Sequence, residues 1–171
     1  FNGESWQLQL GRKINCVYQL ADGTMLAGTD SGLWIQQISE ESDLTTTQLG
    51  LFIEGIFQAS NGIIWCLIEK EFAFSTQGVL SYDGQSWTNH LVNPGVIPMS
   101  GMRGSIGGIH ETPDGTIWVC SLNLDSYKGG VWKTHYPLHG WTREVATTSD
   151  GRFWSWGGTG VSWWNKEIDE W

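Results

Sequence analysis

Four times along this chain an Asp-Gly or Asn-Gly pair is followed, three residues after its glycine, by a large apolar residue. The pairs are Asp22-Gly23 with Leu26, Asn61-Gly62 with Trp65, Asp114-Gly115 with Trp118 and Asp150-Gly151 with Trp154. Each pair sits between β-forming runs such as "GIH" and "TIWVC". A tight turn that needs positive φ takes glycine at no steric cost, so each pair reads as a two-residue hairpin turn. After each hairpin a glycine and a β-former open another strand, at Gly32-Leu33, Gly78-Val79, Gly130-Val131 and Gly160-Val161. A third element closes some units: "SYDGQSW" at 81–87, "WWNKEIDEW" at 163–171 and, in the same style, "FNGESW" at 1–6.

The turn glycines recur every 43 residues or so. A period near forty with about four strands per unit is the pattern of a β-propeller, whose sheets bury their faces only against neighbouring sheets. The expected fold is all-β: about four blades of four antiparallel strands, units near 7–49, 50–92, 93–143 and 144–171, forming an arc of a larger propeller. The arc is expected because 1–6 and 163–171 carry the same outer-strand element. The tryptophan after each turn then fills the wedge between blades, where an aromatic ring buries about 150–250 Å². On this reading Trp65, Trp118 and Trp154 are equivalent and buried.

"VYQLADGTMLAGTDSGLW" and "GIHETPDGTIWVCS", with the later "GGVW", resemble the two-component-regulator propeller repeat. The resemblance runs over nearly the whole chain and implies a sensor-type bacterial propeller in the periplasm or outside the cell. Ala27-Gly28-Thr29 keeps the Gly-Thr of that repeat. Leu67-Ile68 and Cys120-Ser121 depart from it.

Composition narrows the function classes. The 171 residues carry 18 acidic against 9 basic side chains, a net charge of −9. Phosphate backbones are repelled by such a surface, so no nucleic-acid partner is expected. No apolar run reaches the length of a membrane span, so no membrane insertion is expected in this segment. Three cysteines without a CxxC read as buried free thiols, with Cys66 and Cys120 pointing to opposite sheet faces. The Asx residues of the four turns read as turn chemistry rather than as metal ligands. His90, His110, His135 and His139 lack ligand spacing. No metal or other cofactor is therefore expected.

Loop length locates a candidate site. From turn glycine to strand-opening glycine the interval is nine residues in units one and four, but 16 and 15 in units two and three. The reading is a lengthened second-to-third-strand loop in each middle unit, plus a long linker, "LVNPGVIPMSGMRGS", between them. Long loops on a rigid scaffold are where binding residues gather. The rim candidates for ligand binding are Glu69, Glu71, Phe72, Phe74, Arg103, Asp125, Tyr127 and Lys128. Trp118→Ala is expected to be costly for the fold, and Tyr127→Ala cheap. The expected partner is a small molecule or carbohydrate, or a protein, with self-association of the arc as a further expectation. The chain contains no nucleophile elbow, phosphate loop or HExxH. A non-enzymatic sensing or binding segment is therefore the first reading. The alternatives are a propeller-type lyase or glycoside hydrolase, with Glu71, Asp125 and His110 as its acid–base groups, and a protein-interaction scaffold.

Overall fold

The computed structural model describes residues 13–36, 41–42, 51–69, 78–90, 108–120 and 123–165. They form fifteen strands in four antiparallel sheets, with no helix among the described residues. The first sheet holds β1 (Ile14–Gln19), β2 (Met25–Thr29), β3 (Gly32–Gln36) and β4 (Glu41–Ser42). The second holds β5 (Phe52–Gln58), β6 (Ile64–Glu69), β7 (Gly78–Tyr82) and β8 (Trp87–His90). The third holds β9 (Gly108–Glu111), β10 (Ile117–Cys120), β11 (Leu124–Lys128) and β12 (Val131–His135). The fourth holds β13 (Thr142–Thr147), β14 (Phe153–Gly157) and β15 (Gly160–Trp163). In every sheet the strands lie in chain order.

The sheets are propeller blades. The first strands pack on one another in sequence, β1 on β5, β5 on β9 and β9 on β13, and so line the axis. The fourth blade packs on the third and not on the first, so the described residues form an open arc.

Each first-to-second-strand hairpin is built alike, and differently from the expected two-residue turn. Gly23 N–H bonds Leu20 O at 2.9 Å and Leu20 N–H bonds Thr24 O at 2.8 Å, closing a three-residue loop. The same pair of bonds recurs at Ala59–Ile63, Thr112–Thr116 and Thr148–Arg152. This is a three-residue hairpin with a left-handed glycine in its last position, and the four glycines have φ of 89°, 85°, 77° and 83°. The Asx carboxyl or amide oxygen caps the loop by accepting the N–H two residues on: Asp22 from Thr24, Asn61 from Ile63, Asp114 from Thr116 and Asp150 from Arg152.

Strand pairing settles which face each side chain takes, since cross-strand partners share a face. Leu26, Trp65, Trp118 and Trp154 all point toward the side of the following blade. Leu26 packs with Ile53, Ile64 and Cys66 of the second blade. Trp65 packs with Ile117 and Val119 of the third, and Trp118 with Val145 and Phe153 of the fourth. Trp65 is 2% exposed and Trp118 6%, whereas Trp154, with no described blade beyond it, is only half-buried. The opposite face of each blade carries a β-branched residue six positions before the turn glycine: Val17, Ile56, Ile109 and Val145. Cys66 and Cys120 lie in different inter-blade cores, as their offsets from tryptophan require.

Candidate functional site at the axial mouth

Two readings from the sequence change here. Gly130-Val131 does not open the third strand of its blade. Leu124–Tyr127 pairs residue by residue with β10, so this segment is itself the third strand, β11. Gly129 and Gly130, with φ of 56° and 87°, make the tight turn into the fourth strand. The third blade therefore has no lengthened second-to-third-strand loop, because only 121–123 separate β10 from β11.

Asp125, Tyr127 and Lys128 accordingly belong to a strand and not to a loop rim. Asp125 is 4% exposed, faces the second blade, and accepts a 2.6 Å hydrogen bond from Thr134 Oγ1. Tyr127 packs in the same junction, with ring centroids 5.3 Å from Trp65, 5.1 Å from His90 and 5.0 Å from Trp132. Lys128 reaches the hairpin face, where its Nζ lies 2.7 Å from Asp114 Oδ2. Desolvation is the largest single influence on the Asp114 carboxyl and raises it, but the lysine and the Thr112 and Thr116 donors together outweigh it and hold the group far below the usual carboxylate range. Tyr127→Ala is thus a core truncation, which overturns the expectation that it is cheap. Glu69 ends β6. Glu71, Phe72, Phe74 and Arg103 lie outside the described residues. His110 and Asp125 occupy opposite faces of one blade, because His110 pairs with Trp118, and Asp125 with Val119. The geometry does not bring them together as an acid–base pair.

A repeated module escaped the sequence reading. Ser81 and His90 are 2.8 Å apart, and the His90 ring stacks on Trp65 at 5.0 Å. In the next blade Ser126 and His135 are 2.8 Å apart, and His135 lies 4.8 Å from Trp118. Serine on the third strand thus orients a histidine of the fourth strand over the tryptophan of the second. Burial lowers the His90 pKa, favouring the neutral ring that stacking requires. The signal was available: each histidine follows its serine by nine residues. These triads belong to the blade junctions and stiffen the frame.

A second set of repeated polar features lies at the other end of the inner strands. The β1–β2 register slips between Ile14 and Cys16, the β5–β6 register between Ile53 and Gly55, and the β13–β14 register between Thr142 and Glu144. The residues bulged out are Asn15, Glu54 and Arg143, each eight positions before its turn glycine. A bulge re-aims a side chain and commonly lies beside a functional site. The three bulges fall at the same position of three inner strands, and they carry an amide, a carboxylate and a guanidinium. Beside Asn15, Lys13 Nζ lies 3.0 Å from Asp30 Oδ2 and 4.9 Å from the Phe52 ring centre. Asn15 Nδ2 and Asp30 Oδ1 are buried with no hydrogen-bond partner. An orphaned buried donor or acceptor costs about 1–3 kcal/mol, so such groups call for a partner. Asn15 Nδ2 lacks an acceptor and Asp30 Oδ1 lacks a donor. Among the described residues no cluster of three His, Cys, Asp or Glu could hold a metal ion.

No family profile matches the chain, and no curated protein does. Solved structures do. The extracellular domain of the hybrid two-component system protein BT3049 from B. thetaiotaomicron superposes with a TM-score of 0.62 at 16% identity, over 91% of this chain and 22% of that one. Virginiamycin B lyase from Staphylococcus aureus gives 0.62 at 14% identity, over 88% of this chain and 52% of that one. YCF48 bound to D1 peptide gives 0.59 at 11% identity, over 93% of this chain and 54% of that one. The chain therefore has the β-propeller fold that these structures share. It spans about a fifth of the length of that sensor domain and about half of the other two.

Proposed function

We propose that this chain is a sensing segment of an extracytoplasmic propeller, non-enzymatic, that takes a small polar ligand at the axial mouth. One observation carries the reading: the three inner-strand bulges, with the buried, unpartnered atoms Asn15 Nδ2 and Asp30 Oδ1. The likeness to extracellular sensor domains supports a signalling role and an extracytoplasmic place. A neutral ligand rich in hydroxyl or amide groups suits the site best. A hydroxyl both donates and accepts, so it can satisfy Asn15 Nδ2 and Asp30 Oδ1 together. The surface charge of −9 disfavours an anion.

Screening neutral polyols, saccharides and amides by thermal shift tests this. At a hundred times its Kd a true ligand adds about 2.7 kcal/mol of stability. The shift should vanish in Asn15→Ala and weaken in Arg143→Ala, while Lys128→Ala, on the hairpin face, keeps it. A ligand whose shift survives Asn15→Ala but is lost in Lys128→Ala would move the site to the other face.

A further inference from the structure

Two of the three internal blade junctions share a hydrogen bond whose donor and acceptor places recur on the two open faces of the arc. On the hairpin face, Ala21 N–H donates to Gln58 Oε1 at 3.3 Å, tying the first blade's turn to the second blade. Ser60 N–H and Oγ donate to Glu111 Oε2 and Oε1, each at 2.7 Å, tying the second to the third. Donor and acceptor occupy fixed places: two residues before the turn glycine in one blade, and four before it in the next. At the third junction the donor place is Pro113, which has no N–H, and the acceptor place is Thr147. Thr147 Oγ1 instead meets His110 Nε2 at 3.0 Å. Acceptors thus appear where the preceding turn can donate, and not where it cannot.

The outer face of the fourth blade and that of the first carry the two halves of such a junction. The fourth blade presents Ser149 at the donor place and Trp154 at the wedge place. Around Trp154 lie Trp163 and Val161, 43% and 62% exposed, and half-buried Trp156. The first blade presents Gln19 at the acceptor place and Val17, 65% exposed, at the β-branched place that Ile56, Ile109 and Val145 fill in the internal junctions. Neither Ser149 nor Gln19 makes a hydrogen bond among the described residues. Farther out on the first blade Ala27 and Trp34 are buried, so the open part of its face is the inner strand.

We propose that these faces bind each other between two copies of this chain, head to tail, so that two four-bladed arcs close one ring. The fourth blade of each copy would meet the first blade of the other, with Trp154 against Val17 and the Ser149 N–H on Gln19. A junction of two unlike patches closes into a ring when its rotation completes the circle, and here it extends the packing already used three times. It also covers the apolar face around Trp154, Val161 and Trp163.

Sedimentation of the 171-residue chain tests this. At roughly 100 µM a species of twice the chain mass is expected, weakening on dilution. Val17→Glu and Trp154→Glu should each lower the association constant about tenfold or more. The decisive experiment mixes the two variants. One junction of the mixed pair keeps wild-type Trp154 facing wild-type Val17, so the mixture should associate more strongly than either variant alone. Val161→Glu serves if Trp154→Glu loses its β-sheet circular dichroism. A chain that stays monomeric at that concentration overturns the proposal. So does a dimer that both substitutions leave intact, or a mixture no stronger than its parts.

Discussion

At the residue scale the fold rests on a few side chains wedged between blades. Trp118 touches Phe153 and Trp164 of the next blade, with centroids 4.5 and 6.4 Å away, so Trp118→Ala should cost about 3–5 kcal/mol in urea unfolding. Tyr127→Ala, which empties the facing position one junction earlier, should cost about 2 kcal/mol. A loss under about 0.5 kcal/mol would return Tyr127 to the surface. Gly28 is the tight point of the first junction. A Cβ there would stand 2.7 Å from Ile53 O and 2.5 Å from Cys16 Sγ. The carbonyl cannot turn aside without breaking its ladder, so Gly28→Ala should destabilise by about 1–3 kcal/mol. Burial pushes the Cys120 thiol up to about 12, with the Glu144 charge adding to it, and pushes Cys66 higher still. Neither should react with a thiol reagent at pH 8 in the native state, and mass spectrometry after a timed pulse would show it.

At the scale of elements, the sequence made the hairpins and the wedge tryptophans legible, because glycine with positive φ and a large ring at fixed spacing leave few alternatives. It misled at β11. The interval between glycines looked like a loop insertion, because "LDSYK" lacks the period-2 alternation of a strand; the pair Gly129-Gly130, which makes its turn, was the available signal. The bulges at Asn15, Glu54 and Arg143 were invisible, since an extra residue in a strand changes register without changing composition. A polar residue eight positions before the turn glycine in each of these three units was the only trace. The latch rule yields a prediction at this scale. Pro113→Ser with Thr147→Gln should install the missing bond between the third and fourth blades. A double-mutant cycle read by thermal unfolding should give a favourable coupling of about 0.5–1 kcal/mol, where either change alone gives none.

For the whole molecule, the arc joins an apolar frame to a polar mouth. His90 and His110 have pKa values lowered first by burial, with the Glu111 charge partly opposing the shift at His110. Both are neutral in the fold and take up protons more readily when unfolded. The stability they favour is present above the unfolded value of about 6.5 and is lost as pH falls through the lower folded values. The melting temperature should therefore be flat from pH 8 to 7 and fall as pH drops below 6.5. His90→Gln should flatten part of that slope. A melting temperature that rises on acidification through this window would contradict the burial of these rings. The ligand and the rest of the mouth were the least legible, because several of the expected rim residues lie outside the described residues, and Asp125, Tyr127 and Lys128 lie on a strand of the third blade.

The Ser60–Glu111 latch has a consequence for hydrogen exchange. Turn amides on a solvated surface ordinarily exchange fast, yet Ser60 N–H is held at 2.7 Å by a carboxylate from a different blade. It exchanges only when that inter-blade bond opens. Its protection therefore reports the opening of the second junction, and Ala21 N–H, bonded to Gln58, reports the first. Ser149, at the corresponding place in the fourth blade, should exchange at the rate of an open turn in the lone chain and slow only when another blade's acceptor arrives. One peptide, 148–152, thus acts as a clock for ring closure.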